Sequence, residues 1–299
     1  AAIGGLYASL RDQSMISGNS YGMGVLLGSY TDELDYYATD MNGMRDIYLN
    51  QHQSTNTSIE RLWNLSYKQI YEANAIISGL ENSGKIDSED IEQLTGEALL
   101  LRSFIYLNLH QLFGEIPYTT SLDYHVNASL RKLTKEEILL QLTLDLELAA
   151  SKLSDAYRDP ERIYPNRKVA ELLLAKVHLL NGNWAMAEST SNDVISSGIY
   201  QYHPDVATVF HKTGMHILWQ LKPRSTNLAT QEAIYFNFTT APASYALSEE
   251  IVEDFQDNDL RRIHWIQTIP QNENSWYKPY KYKNLNGANT NEYSIVFRL

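Results

Sequence analysis

Apolar positions recur at helical spacing through the first two hundred residues of the chain and lose that spacing afterwards. "AAIGGLYASL" opens with Ile3, Leu6, Tyr7 and Leu10 on one face, so a helix begins at the first residues. A helix that starts there without a cap suggests that a leader has been removed. "IERLWNLSYKQIYEANAIISGL", residues 59–80, lines up Leu62, Trp63, Ser66, Ile70, Ala73 and Ile77, and Gly79 stands where a C-terminal stop belongs. Residues 88–113 predict a second long helix, apolar and aromatic in its later half. It stops at Phe113-Gly114, and the chain leaves as an extended segment containing Pro117. Thr134 starts a third. Glu137 follows three residues on, a capping-box pattern, and Ile138, Leu142, Leu146, Ala149 and Leu153 share one face.

The next stretch is "NRKVAELLLAKVHLLNGNWAMAESTSNDVISSGIY", residues 166–200. Asn181-Gly182-Asn183 breaks its periodicity, which resumes at once with Trp184, Ala187, Val194 and Ile195. Two antiparallel helices joined by so short a turn form a helical hairpin. Small Ala175, Gly182 in the turn, aromatic Trp184 and small Ala187 resemble a tetratricopeptide unit. The helices around 60–80, 88–113 and 134–153 could supply further, degenerate units, because such hairpins bury their apolar faces only by stacking.

After residue 200, "HILWQL" and "AIYFNFTT" predict short strands from Trp219, Tyr235 and Phe236. "LSEEIVEDFQDNDLRR" predicts a short acidic helix. "WYKPYKYKN" alternates aromatic and basic residues, and Pro279 forbids a regular helix there. "EYSIVFRL" is an apolar run at the end of the chain. The expected fold is therefore mostly α: one domain over 1–299, with a stacked-hairpin scaffold (1–200) and an irregular, loop-rich part holding a few short strands (201–299).

Composition narrows the function. With 299 residues, 43% of them hydrophobic, the chain can bury one large core or two small ones. A net charge of −12 weighs against a phosphate-binding surface and so against nucleic acid. The absence of cysteine removes disulfides, thiolate metal sites and thiol catalysis together. No apolar run approaches the roughly 20 residues of a membrane helix. Twenty-one tyrosines and five tryptophans are the unusual feature. Most of these rings are expected to pack in the core or half-buried, and the remainder can serve a ligand platform.

Catalytic patterns are weak. Gly18-Asn19-Ser20-Tyr21-Gly22 matches G-x-S-x-G, but a nucleophile elbow needs a buried strand before it and a helix directly after it. "RDQSMIS" precedes the match, so a glycine-rich loop after the first helix is the expectation. His203, His211 and His216 lack metal-ligand spacing, and no metal or cofactor is implied. Asp254, Asp257 and Asp259 lack the glycine and distal glutamate of a calcium loop, and a solvated helix end accounts for them better. The pair Asp32/Glu33 could serve a glycosidase only at a separation that sequence does not give. Nothing here points specifically to an enzyme. A tetratricopeptide scaffold for protein partners and a glycoside hydrolase on a helical toroid are the rival classes.

One family resemblance gathers these segments. "LLLRSFIYLNLHQLFGEIPYTT" resembles the signature segment of the SusD/RagB family of outer-membrane nutrient-binding lipoproteins. Arg102, Phe104, Tyr106, Leu107, Leu112, Phe113, Gly114 and Pro117 fill its positions. "GSYTDELDYY", "LWNLSYKQIYEANAIISGL", the 166–200 hairpin and "LSEEIVEDFQDNDLRR" are similar to further blocks, in the family's order. The resemblance implies a non-catalytic protein on the cell-surface face of the outer membrane. It would capture an oligosaccharide, or in some relatives a peptide, and pass it to a SusC/RagA-like TonB-dependent transporter. Members carry a lipidated N-terminal cysteine and continue past an Arg-Leu like Arg298-Leu299, so both ends here look truncated. In relatives the ligand surface draws on segments corresponding to 36–58 and 264–284. Within these, Tyr37, Tyr48, Asn50, Trp265, Trp276, Tyr277 and Tyr280 are the candidate ligand residues.

Overall fold

The computed structural model describes residues 2–39 and 43–299. Helix α1 (Ala2–Asp12) and α2 (Met23–Tyr30) lead into a short strand β1 (Leu34–Tyr36) and helix α3 (Met44–Tyr48). Two long helices follow, α4 (Thr57–Glu81) and α5 (Ser88–Phe113). Asn56 caps α4 by accepting from the N–H groups of Ser58 and Ile59, while its amide donates to the Gly43 carbonyl. That one side chain ties the α3 loop to the scaffold.

Strand β2 (Ile116–Pro117), helix α6 (Tyr124–Ala128) and strand β3 (Lys132–Leu133) form the exit from α5. Gly114 ends α5 at φ +72°, a conformation that costs glycine little, so the stop expected there is present for a stated reason. The Gly79 stop is not: α4 runs through it to Glu81 and is capped by Asn82, whose N–H reaches back to the Ser78 carbonyl. Glycine lowers helix propensity but does not terminate a helix that packing holds in place.

Helices α7 (Lys135–Lys152), α8 (Arg167–Leu180) and α9 (Trp184–Ile195) complete the stack, α7 packed on α5, α8 on α7 and α9 on α8. The capping box is formed by both partners: Glu137 N–H donates to Thr134 Oγ1, and the Glu137 carboxylate accepts from Thr134 N–H. Every position from Ala98 to Leu107 on α5 is buried, because α4 and α7 flank it and the aromatic rings of the later strands cover it.

The α8–α9 hairpin matches expectation in register but not in its aromatic. Ala187 and Val194 are buried, whereas Trp184 is 67% exposed and Ile195 also faces solvent. Trp184 begins α9 at the outer end of the turn, so helical spacing alone overestimates its burial. Ala187→Leu should force α8 and α9 apart and lower stability by about 1–3 kcal/mol. A thermal melt checks this, and an unchanged Tm would place Ala187 on an open face.

Strand β4 (Ile217–Leu221) is the expected "HILWQL" strand, but the first half of "AIYFNFTT" belongs to helix α10 (Gln231–Phe236), and the second half is neither helix nor strand. Thr230 caps α10 by accepting from Ala233 N–H, a start signal that outweighs the β-favouring Tyr235 and Phe236. Strand β5 (Tyr245–Leu247), helices α11 (Glu249–Glu253) and α12 (Leu260–Trp265), and strands β6 (Ile266–Gln271), β7 (Asn274–Pro279) and β8 (Ser294–Arg298) finish the chain. The "LSEEIVEDFQDNDLRR" segment is thus two short helices. Asp259 caps the second, accepting from Arg261 N–H, which makes the aspartate cluster a pair of helix ends.

Strands β4 and β8 pair antiparallel and join the main core, where Trp219 meets Phe104 and Phe297. The four-stranded sheet has the order β1-β5-β7-β6, all antiparallel. Its first two strands pair residues more than 200 positions apart, Leu34 opposite Leu247 and Tyr36 opposite Tyr245.

Candidate ligand-binding site

This sheet joins the two segments singled out in the sequence. Tyr37 follows β1 directly, and its N–H donates to the Ser244 carbonyl beside β5. Trp265 ends α12 just before β6, and its carbonyl accepts from Tyr280 N–H just after β7. Trp276 and Tyr277 lie in β7 opposite Ile269 and Thr268. Alternation along a strand places Trp276 on one face and Tyr277 on the other. Six of the seven candidates therefore lie on or against one sheet, in two groups and not one constellation, and Asn50 lies past the end of α3.

At the β1 edge, the hydroxyls of Tyr37 and Tyr48 both donate to Asp35, at 3.2 Å to Oδ2 and 3.2 Å to Oδ1. Desolvation first, then the neighbouring carboxylate, pushes the Tyr37 phenol up to about 12 and raises Tyr48 as well. Both stay protonated donors at neutral pH. Tyr36 packs between Tyr48 and Tyr245, at ring distances of 6.5 and 5.2 Å. Asn50 adopts a left-handed φ of +56° just past α3 and leaves its side chain exposed. A carboxylate held between two phenols, one of them the half-exposed Tyr37, is chemistry suited to hydroxyl-rich ligands.

Of the second group, Trp265 lines a cleft of about 520 Å³ between the sheet and helices α10 to α12, while alternation from the cleft-lining Pro279 puts Trp276 on the opposite face of β7. Leu34, Leu247, Ile266 and Pro279 form its apolar floor, and Phe255, Trp265 and Tyr282 supply rings. Glu33, Arg261 and Lys281 supply charge. Trp265 is held firmly: its indole N–H donates to the Val206 carbonyl at 2.7 Å, and Phe210 meets it edge-on at 5.4 Å. Tyr280 lies between the ammonium groups of Lys278 and Lys283, 5.1 and 5.3 Å from its ring centre. Trp276 is half-buried, and no hydrogen bond, ion or ring contact engages its indole among the described residues. Of the two candidate indoles it is the freer.

Phe236, Phe255 and Arg261 were missed because sequence reasoning weighed aromatic loops and not the helices above them, while Lys281 and Tyr282 lie in the weighed "WYKPYKYKN" segment but were not among its candidates. The signal available was "LSEEIVEDFQDNDLRR", whose Phe255 and Arg261 reach the cleft.

The patterns set aside at the sequence level have structural explanations. Gly18 to Gly22 form the loop between α1 and α2, with no strand before it. A Cβ on Gly22 would lie 1.8 Å from the Ser17 carbonyl oxygen, and one on Gly18 would strike Glu232. Close backbone approach accounts for both glycines. His203 and His216 stack at 4.7 Å, with His216 Nε2 against the Val209 carbonyl. No group of three or more His, Asp or Glu among the described residues is arranged to hold a metal ion. Glu33 reaches the cleft, while Asp32 sits in a left-handed turn at φ +61°.

With the geometry in place, comparison with known proteins decides the family. A family model described as "Starch-binding associating with outer membrane" matches residues 16–179, just over half of the chain. The chain belongs to the SusD-like family. Two SusD-like proteins of Formosa agariphila are similar to it. P25 is 25% identical over 168 residues (55% of this chain, 32% of that protein), and P2 is 28% identical over 205 residues (66% and 38%). The matches thus span about a third of the length of these curated relatives. A solved laminarin-binding SusD-like protein superposes with a TM-score of 0.80 at 17% identity, covering 100% of this chain and 77% of that one. That likeness concerns the fold. No described helix is long and apolar enough to cross a membrane.

Proposed function

We propose that this SusD-like chain is a non-catalytic oligosaccharide-binding protein whose ligand surface is the four-stranded sheet with its cleft. The observation that carries the reading is the antiparallel pairing that gathers residues 34–37, 245–247 and 265–280 beside one aromatic-lined opening. Sugars present C–H faces to aromatic rings and hydroxyls to carboxylates and amides, and both kinds of group border this sheet. The names of the solved laminarin-binding protein and of a surface glycan-binding protein from Bacteroides uniformis support the ligand class. The family description supports an outer-membrane setting. The ligand is handed to a SusC/RagA-like TonB-dependent transporter, and a lipid anchor holds the full-length protein at the cell surface. Co-purification with such a transporter tests that step.

The ligand test uses calorimetry against a panel of glycans and peptides, with reducing-sugar release measured in parallel. Trp276→Ala should weaken glycan binding by about 1–3 kcal/mol, the scale of an aromatic anchor, and leave Tm nearly unchanged. Equal affinity with a lowered Tm would make Trp276 a packing residue and move the site to Tyr37, Tyr48 and Asn50. Tight peptide binding without glycan binding, or sugar release by the wild type, would overturn the reading.

A further inference from the structure

The chain carries a net charge of −12, yet beside Trp265, at the edge of the cleft, two cations gather without carboxylate partners. Lys281 Nζ lies 5.3 Å from the Trp265 ring centre and 5.8 Å from that of Phe210. The guanidinium carbon of Arg298 lies 5.7 and 5.1 Å from the same two rings. Lys222, Arg261 and Arg262 are tied to Glu161, Asp259 and Asp257, whereas Lys278 and Lys283 share the Tyr280 ring and, like the cleft pair, have no ion pair among the described residues. Neither Lys281 nor Arg298 has an ion pair among the described residues.

Two like charges over one pair of rings repel each other. Desolvation and the Arg298 guanidinium together pull the Lys281 ammonium below the ordinary lysine range, and Glu33 opposes them only in part. Glu232, the other acid on the cleft wall, is pushed toward its neutral form by burial and accepts from the Ser294 hydroxyl. Glu33 is left as the one opposing charge lining the cleft that is not already taken up by a partner. An anion seated between Lys281 and Arg298 would relieve the repulsion and gain two charge-assisted contacts. The rings beneath would hold the apolar face of the group that carries it.

We infer that the cleft takes an anionic saccharide, one bearing uronate carboxylates or sulfate esters, with the acidic group set between Lys281 and Arg298 beside Trp265. This rests on the oligosaccharide-binding reading and names its ligand class. Calorimetry with three oligomers of matched length tests it: a neutral β-glucan, a polyuronate and a sulfated galactan, with inorganic sulfate alone as a fourth arm. The expected result is preference for an acidic oligomer, with affinity that falls as salt rises. Lys281→Gln and Arg298→Gln should each weaken that binding about tenfold or more. Lys68→Gln, an equal charge change on α4, should alter nothing. Binding of the neutral oligomer alone would overturn this inference and keep the oligosaccharide reading. Binding of no oligomer would overturn both. Acidic-glycan affinity unmoved by either cleft variant would place the acidic group elsewhere and defeat the inference, and inorganic sulfate bound as tightly as the oligomer would reduce the corner to a simple anion site.

Discussion

Arg102→Met should cost the fold about 3–5 kcal/mol, because it leaves a half-buried carboxylate without its partner. Arg102 is buried on α5, and its guanidinium donates to Asp145 Oδ2 at 2.7 Å and to Asn74 Oδ1 at 2.6 Å. Tyr118 donates to the same Asp145 oxygen at 2.6 Å. Burial first, and then the Asp145 carboxylate, raise the Tyr118 phenol well above its ordinary value, so it remains a donor. The group therefore ties α4, α5, α7 and the β2 exit through one cation. Methionine keeps the length and the apolar stem but offers no donor. Urea unfolding gives the loss directly. The double variant Arg102→Met, Asp145→Leu should be less destabilised than the single one, since it removes the orphaned charge along with its partner. A single variant within about 1 kcal/mol of wild type would show that water already serves Asp145.

That cluster also explains what the signature segment encodes. Tyr106 stacks on Tyr118 at 3.9 Å, donates to the Thr119 carbonyl and accepts from Thr119 N–H. Tyr67 donates to the Pro117 carbonyl. Arg102, Tyr106, Gly114 and Pro117 thus build the helix and its extended exit, and they lie away from the sheet. The family's most legible residues specify scaffold, which is why they identify the fold and are silent on the ligand.

Legibility followed the range of the interactions. The capping box at Thr134, the 181–183 turn and the α5 stop are local, so spacing and residue type suffice to place them. Gly79 and Trp184 were misjudged because tertiary packing decided the one and position at a helix end the other. α10 was taken for a strand because Tyr235 and Phe236 outweighed the capping Thr230 in a short window. The candidate site was harder still. Its sheet pairs β1 with β5 across more than 200 residues, and no short-range pattern announces such a partner. The resemblance pointed to the two aromatic segments; the sheet that joins them, and Lys281 and Arg298 beside Trp265, became visible only in three dimensions.

Trp219→Ala should destabilise the whole chain as one unit, by about 3–5 kcal/mol. Trp219 on β4 is fully buried. Its ring meets Phe104 of α5 at 5.9 Å, Tyr7 of α1 at 6.5 Å and Phe297 of β8 at 6.1 Å, and its N–H donates to the Ile163 carbonyl. One side chain thus links the first helix, the central helix and the β4–β8 pair. If residues 1–299 form a single domain, the cavity left by alanine weakens the helical stack and the later strands together. Far-ultraviolet circular dichroism follows the helices, and tryptophan fluorescence, read in a Trp63→Phe, Trp184→Phe background, follows Trp265 and Trp276 beside the sheet. Both should shift to the same lower midpoint, since coincident probes mark one cooperative transition. A cleft-side transition that moves while the helical one stays fixed would divide the chain near residue 200. The ligand surface would then be a separate folding unit, and its affinity could change without any loss of the scaffold.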